Sequence, residues 1–139
     1  MNRVGVAIVG HGNTASQLLA AARGIVRSDV LSDVVAVDAG EGETQRFSDL
    51  MCGVIERLDE GRGVVVFVDL LGASPCQCAR REGLGHGVIT LSGLNLAMIL
   101  KLAALDRERL SAAEVAEACA DSAQRSVRVT VDVDEEAGA

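Results

Sequence analysis

One of the chain's two histidines, His11, lies in the stretch Val4 to Thr14, VGVAIVGHGNT, between Gly10 and Gly12. A neutral imidazole carries one nucleophilic nitrogen and one N–H, and a carboxylate that accepts the N–H fixes the tautomer and steadies the positive ring formed during attack. Asp69, at the end of the apolar run Gly63 to Val68, is a candidate for that carboxylate, and Ser74 follows on the next loop. Together these residues suit His11 to attack a phosphoryl group and carry it as a phosphohistidine. Phosphoryl transfer asks mainly for positioning and for charge stabilisation on the equatorial oxygens. Candidate donors are the amides of Gly12, Asn13 and Thr14, at the start of a helix whose dipole favours an anion, and the hydroxyl and amide of Ser74. There is no P-loop, and the one lysine in the chain is Lys101. A phosphoprotein is therefore expected as the phosphate source rather than ATP, with no metal and no cofactor.

The elements that must hold these residues follow from hydrophobic period. Val4, Val6, Ile8 and Val9 form a β-branched run that stops at Gly10, and Leu18, Leu19, Ala22, Ile25 and Val26 then recur at helical spacing to about Arg27. A second strand is expected over Val34 to Ala39, then a helix from about Thr44 to Leu58. Gly63 to Asp69 is continuously apolar up to its acid, as in a parallel strand covered on both faces. Ser74 reads as N-cap and Pro75 as first residue of a helix. Gly87 to Leu91 is a fourth strand, Asn95 caps a helix to about Leu105, and Ser111 to Glu114 is a capping box. Val127, Val129, Val131 and Val133 alternate with polar residues, predicting an antiparallel or edge strand. The pattern is that of an α/β open doubly wound sheet, mainly parallel, with helices on both faces and a C-terminal antiparallel edge strand. With strand order 2-1-3-4, the order reverses between the strands that end at His11 and Asp69, where such sheets bind ligands.

Composition narrows the function classes. The 139 residues suit one domain over 1–134, followed by an acidic, frayed tail over 135–139. A net charge of −7, two Phe and no Trp or Tyr disfavour nucleic acid, which needs a basic surface and stacking rings. No apolar stretch spans a bilayer and the N-terminus lacks a signal-peptide pattern, so a cytoplasmic protein is expected. Cys52, Cys76, Cys78 and Cys119 match no zinc or thioredoxin spacing and read as reduced packing residues, with a redox role conceivable for Cys76 and Cys78. Ser92 and Asn95 read as turn and cap residues, and His86 falls at the opposite, amino end of the sheet.

Three blocks, GVAIVGHGNTASQLL, FVDLLGASPCQCA and TLSGLNLAMIL, resemble in order and spacing the mannose-family enzyme IIA components of the bacterial phosphoenolpyruvate-dependent sugar phosphotransferase system (PTS). The likeness covers essentially the whole chain. It implies that His11 is phosphorylated through Nε2, that Asp69 holds Nδ1, and that Ser74 is the active-site serine. It implies phospho-HPr as donor, an enzyme IIB as acceptor, and a membrane sugar permease only indirectly. It further implies a homodimer that exchanges its last strand, Ser126 to Val133. The chain departs from the family at Ala73, usually glycine, and at Cys76-Gln77, usually Phe-Asn, which alters the rim that meets partners. Rival readings are the phosphotransfer subunit of dihydroxyacetone kinase, a phosphorylation-sensing regulator, and a chelatase-like metal binder. The first lacks a good match to the block from Asp69 to Pro75, and the last lacks further ligands in the same cleft.

Overall fold

The run that ends at His11 is one of the two inner strands of the sheet. In the computed structural model, which describes residues 2–40, 45–70 and 87–133, that strand is β1 (Gly5–Gly10), buried along its whole length. The chain continues through α1 (Thr14–Val26), β2 (Val35–Asp38), α2 (Gln45–Leu58) and β3 (Val64–Val68). It ends, within the described residues, with β4 (Val88–Leu91), α3 (Leu96–Ala103) and α4 (Ala112–Ser126). The sheet of described strands is all parallel in the order β2-β1-β3-β4. This is the expected doubly wound order. The helix expected after Pro75 lies outside the described residues.

Period-two alternation along buried strands feeds two cores. Val6, Ile8, Val65 and Phe67 face α1, α3 and α4, packing with Leu19, Met98, Ile99, Leu102, Val115 and Cys119. Ala7, Val9, Val64, Val66 and Val68 face the other way, onto Met51, Val54 and Ile55 of α2. Side chains such as Ile8 and Phe67 are fully buried, each worth about 1.5–3 kcal/mol relative to exposure. Gly5 is required by this packing, because a Cβ there would lie 2.5 Å from the Leu58 carbonyl oxygen.

Helix starts follow the expected chemistry at Asn95 and Ser111. Asn95 Oδ1 accepts the Met98 amide, and Ser111 and Glu114 form the reciprocal capping box. Asn13 makes no side-chain cap at α1, where another residue takes that role. At the amino end of the sheet the buried Arg107 guanidinium makes a two-pronged ion pair with Asp33 at 2.7 and 2.8 Å. It also donates to the carbonyls of Val4 and Val30, tying the turn before α4 to β1 and to the α1–β2 connection.

The C-terminal valines behave differently from a paired strand. Residues 127–133 join no ladder among the described residues, and Val127, Val129, Val131 and Val133 are 65–93% exposed. The antiparallel edge strand expected from their alternation is therefore not seen in the sheet of described strands. Cys119 is a buried free thiol, as expected of a packing cysteine. Cys52 corrects that expectation, being disulfide-bonded.

Candidate active site

Parallel pairing brings the two site strands to the same level: Val9 of β1 is opposite Val68 of β3, so the chain leaves both strands side by side at their carboxyl ends. His11 and Asp69 meet there, at the reversal between β1 and β3. The His11 Nδ1 lies 3.0 Å from Asp69 Oδ2 and 3.2 Å from Oδ1. The His11 backbone N–H donates to the same Oδ2 at 2.8 Å, and the Leu70 N–H donates to Oδ1 at 2.8 Å. One carboxylate thus holds both the backbone and the ring of His11.

The charge state of Asp69 sets the tautomer. Partial burial pushes its carboxyl up, but hydrogen bonds from the His11 amide and ring and from the Leu70 amide, with the charge of His11, hold it below the usual carboxylate value. It is ionised at neutral pH and can only accept, so in the neutral ring Nδ1 carries the proton and Nε2 keeps its lone pair. The His11 side chain is 53% exposed, within reach of a macromolecular donor. Gly10 has to be small: a Cβ there would lie 3.1 Å from Thr14 Cβ, 3.4 Å from the Ala15 nitrogen and 3.5 Å from Asp69 Oδ2.

A second set of bonds reaches His11 from β2. The Ala39 amide donates to the Gly10 carbonyl at 2.8 Å, and the Gly12 amide to the Gly40 carbonyl at 2.8 Å, closing an antiparallel bridge. Gly12 and Gly40 have φ of +58° and +60°, a left-handed conformation in which a side chain is strained. At the helix start, Asp38 Oδ1 accepts the Ser16 amide at 3.0 Å and Oδ2 accepts its hydroxyl at 2.5 Å.

These bonds change how the expected donors stand. The Gly12 amide is spent on Gly40, and the Thr14 amide on the His11 carbonyl at 3.1 Å. The Asn13 amide has no hydrogen bond among the described residues, and Asn13 and Thr14 are exposed beside His11. Ser74, with Cys76, Cys78 and His86, lies outside the described residues. Ser92 and Asn95 are near the end of β3, where the Leu94 amide donates to the Val68 carbonyl, and Asn95 is a helix cap. Sequence reasoning missed Asp38 and Gly40. Their signal was position alone, at the carboxyl edge next to His11.

No group of three or more metal-ligating side chains occurs among the described residues. No described helix is long and apolar enough to cross a membrane. What the arrangement offers is an exposed imidazole nucleophile with a fixed tautomer, at a sheet crevice.

Comparison with known proteins finds one matching family model and a set of solved structures of the same fold. The family model EIIA-man, described as the PTS system fructose IIA component, matches residues 5–120. No curated protein matches. Among solved structures, the mannose/sorbose-specific IIA subunit of the phosphotransferase system from Enterococcus faecalis superposes with a TM-score of 0.72 at 25% identity, covering 97% of this chain and 98% of that one. The PTS IIA protein associated with the fucose utilization operon of Streptococcus pneumoniae gives 0.70 at 24% identity, covering 93% and 96%. The phosphotransferase system component EIIA from Streptococcus agalactiae gives 0.70 at 21% identity, covering 91% and 96%. The two at less than 25% identity speak for the fold alone.

Proposed function

This chain belongs to the EIIA-man family of IIA components of the sugar phosphotransferase system, and on that premise we propose that it carries a phosphoryl group on His11 between two proteins. The observation that carries the reading is the double hold of Asp69 on His11, through the ring Nδ1 and the backbone amide. Phospho-HPr is the proposed donor. Nε2 attacks phosphorus with its lone pair, a P–N bond forms, and the bond to the donor's leaving group breaks. The ring becomes positive while Nδ1 keeps its proton, and the Asp69 carboxylate lies against that charge. An enzyme IIB then takes the phosphoryl group, and the bonding pair returns to Nε2.

The donors proposed for the phosphoryl oxygens are the Asn13 amide, the Thr14 hydroxyl and Ser74, with Gly12 supplying the turn rather than a free amide. No nucleotide enters the scheme. The exposed valines of residues 127–133 support a homodimer in which this segment pairs with a second copy, since an unpaired alternating strand is a template for another chain.

Incubation with phosphoenolpyruvate, enzyme I and HPr, followed by intact mass, tests the reading. It expects gain of one acid-labile phosphoryl group that disappears in His11→Ala. No gain in the presence of active phospho-HPr overturns it.

A further inference from the structure

We propose that Asp38 is a positioning residue for phosphotransfer, acting on His11 through the first turn of α1 and the Gly12 peptide. The inference rests on the carrier reading above. Asn13 occupies the cap position of α1 but makes no cap bond, having φ −112° and ψ 26°. The unfilled role passes to Asp38, twenty-two residues beyond Ser16 in the sequence, whose two oxygens take the amide and the hydroxyl of Ser16. The Ser16 hydroxyl also lies 3.2 Å from the Asn13 carbonyl, and its single proton is better placed for the carboxylate at 2.5 Å.

The two residues after Asp38 extend the same clamp. Ala39 bonds Gly10, and Gly40 bonds Gly12, so His11 lies between two peptides that are both fixed from the β2 side. Asp69 fixes it from the β3 side. A nucleophile so held has few ways to rotate away from its approach line, and small misplacements of a reacting group are costly to rate. Asp38 also completes the α1 helix start with a charge, as a carboxylate near a helix N-terminus is favoured. Its side chain is exposed and packs in neither core, so its removal leaves the burial of both cores intact.

Three variants, Asp38→Ala, Asp38→Asn and Ser16→Ala, are compared with the unaltered chain. Steady-state transfer from phospho-HPr gives kcat and KM, thermal melting gives stability, and the 15N shifts of the His11 ring report how much of the neutral form is protonated at Nδ1. Asp38→Ala is expected to lower kcat roughly tenfold with KM little changed. Its ring shifts should move toward a tautomer mixture. Asp38→Asn, which keeps an oxygen for the Ser16 amide, should recover most of the rate, since Asn caps about as well as Asp. Ser16→Ala should fall between.

Wild-type kcat and ring shifts in Asp38→Ala overturn the proposal. So does a rate loss that follows melting and is not rescued by Asp38→Asn. The ring shifts need no phosphate, so they judge the positioning role even if the unaltered chain takes no phosphoryl group, an outcome that would overturn the carrier reading instead.

Discussion

Asp69 Oδ2 lies 2.8 Å from the backbone nitrogen of His11 and 3.0 Å from its Nδ1, so one oxygen fixes where the residue leaves β1 and which ring nitrogen is free. Replacing Asp69 by Asn removes the charge that steadies the positive ring and offers an amide with one oxygen for both donors. The expected outcome is a rate of phosphoryl transfer to His11 lower by about 10–100-fold, with the fold retained. Rapid-quench labelling from phospho-HPr measures it, and an unchanged rate would contradict the tautomer role.

Two glycines of β1 make a matched pair of tests. Gly5→Ala would drive a Cβ into the Leu58 carbonyl, and Gly10→Ala would crowd Thr14, Ala15 and Asp69. Both should lose roughly 1–3 kcal/mol of stability in denaturant unfolding. Once allowance is made for the folded fraction, transfer should suffer in Gly10→Ala alone. Equal rates in the two variants would show that the space beside Asp69 is not critical.

The amino end of the sheet should govern acid stability. Burial pushes the Asp33 carboxyl up, but the hydrogen bonds and charge of Arg107, aided by the backbone and Arg3, bring it below the ordinary carboxylate value. Unfolding therefore takes up protons, and the stabilisation is complete above about pH 4, where unfolded carboxylates are ionised, and is lost as pH falls through the lower folded value. Arg107→Met should cost up to about 3 kcal/mol at neutral pH, less than a fully buried pair because Asp33 is 35% exposed. Melting temperature against pH should fall less steeply below pH ~4 in that variant.

Cys119 should be chemically quiet. Burial pushes its thiol up to about 11, only slightly offset by Lys101. At pH 8 the native protein should leave Cys119 unmodified by iodoacetamide while the denatured chain reacts, as peptide mass mapping would show. Rapid modification of the native protein would place Cys119 outside the core.

The second copy proposed for residues 127–133 can be removed. Sedimentation should give twice the chain mass for the full protein and one chain mass after truncation at Ser126. A dimer that survives truncation would reject strand pairing as its basis.

The parallel sheet and the meeting of His11 with Asp69 were legible because both depend on local signals. Continuous β-branched runs ending in Gly10 and Asp69 specify buried parallel strands, and the strand order does the rest. The β2 side of the site was not legible. Asp38 reaches the first turn of α1 from twenty-two residues beyond Ser16, a tertiary contact that no local spacing shows. The engagement of the Gly12 amide was hidden for the same reason, since its partner Gly40 reads in sequence only as a break. The alternation of residues 127–133 was legible, but among the described residues it forms no paired strand. Cys52 shows no local sign of its disulfide.

The most direct test of the account is the position of the phosphate on the ring. Long-range proton–nitrogen correlation on the 15N-labelled protein, phosphorylated by phospho-HPr, separates the two ring isomers. A hold by Asp69 on Nδ1 predicts phosphate on Nε2 of His11. Phosphate on Nδ1, or on any residue other than His11, would contradict it.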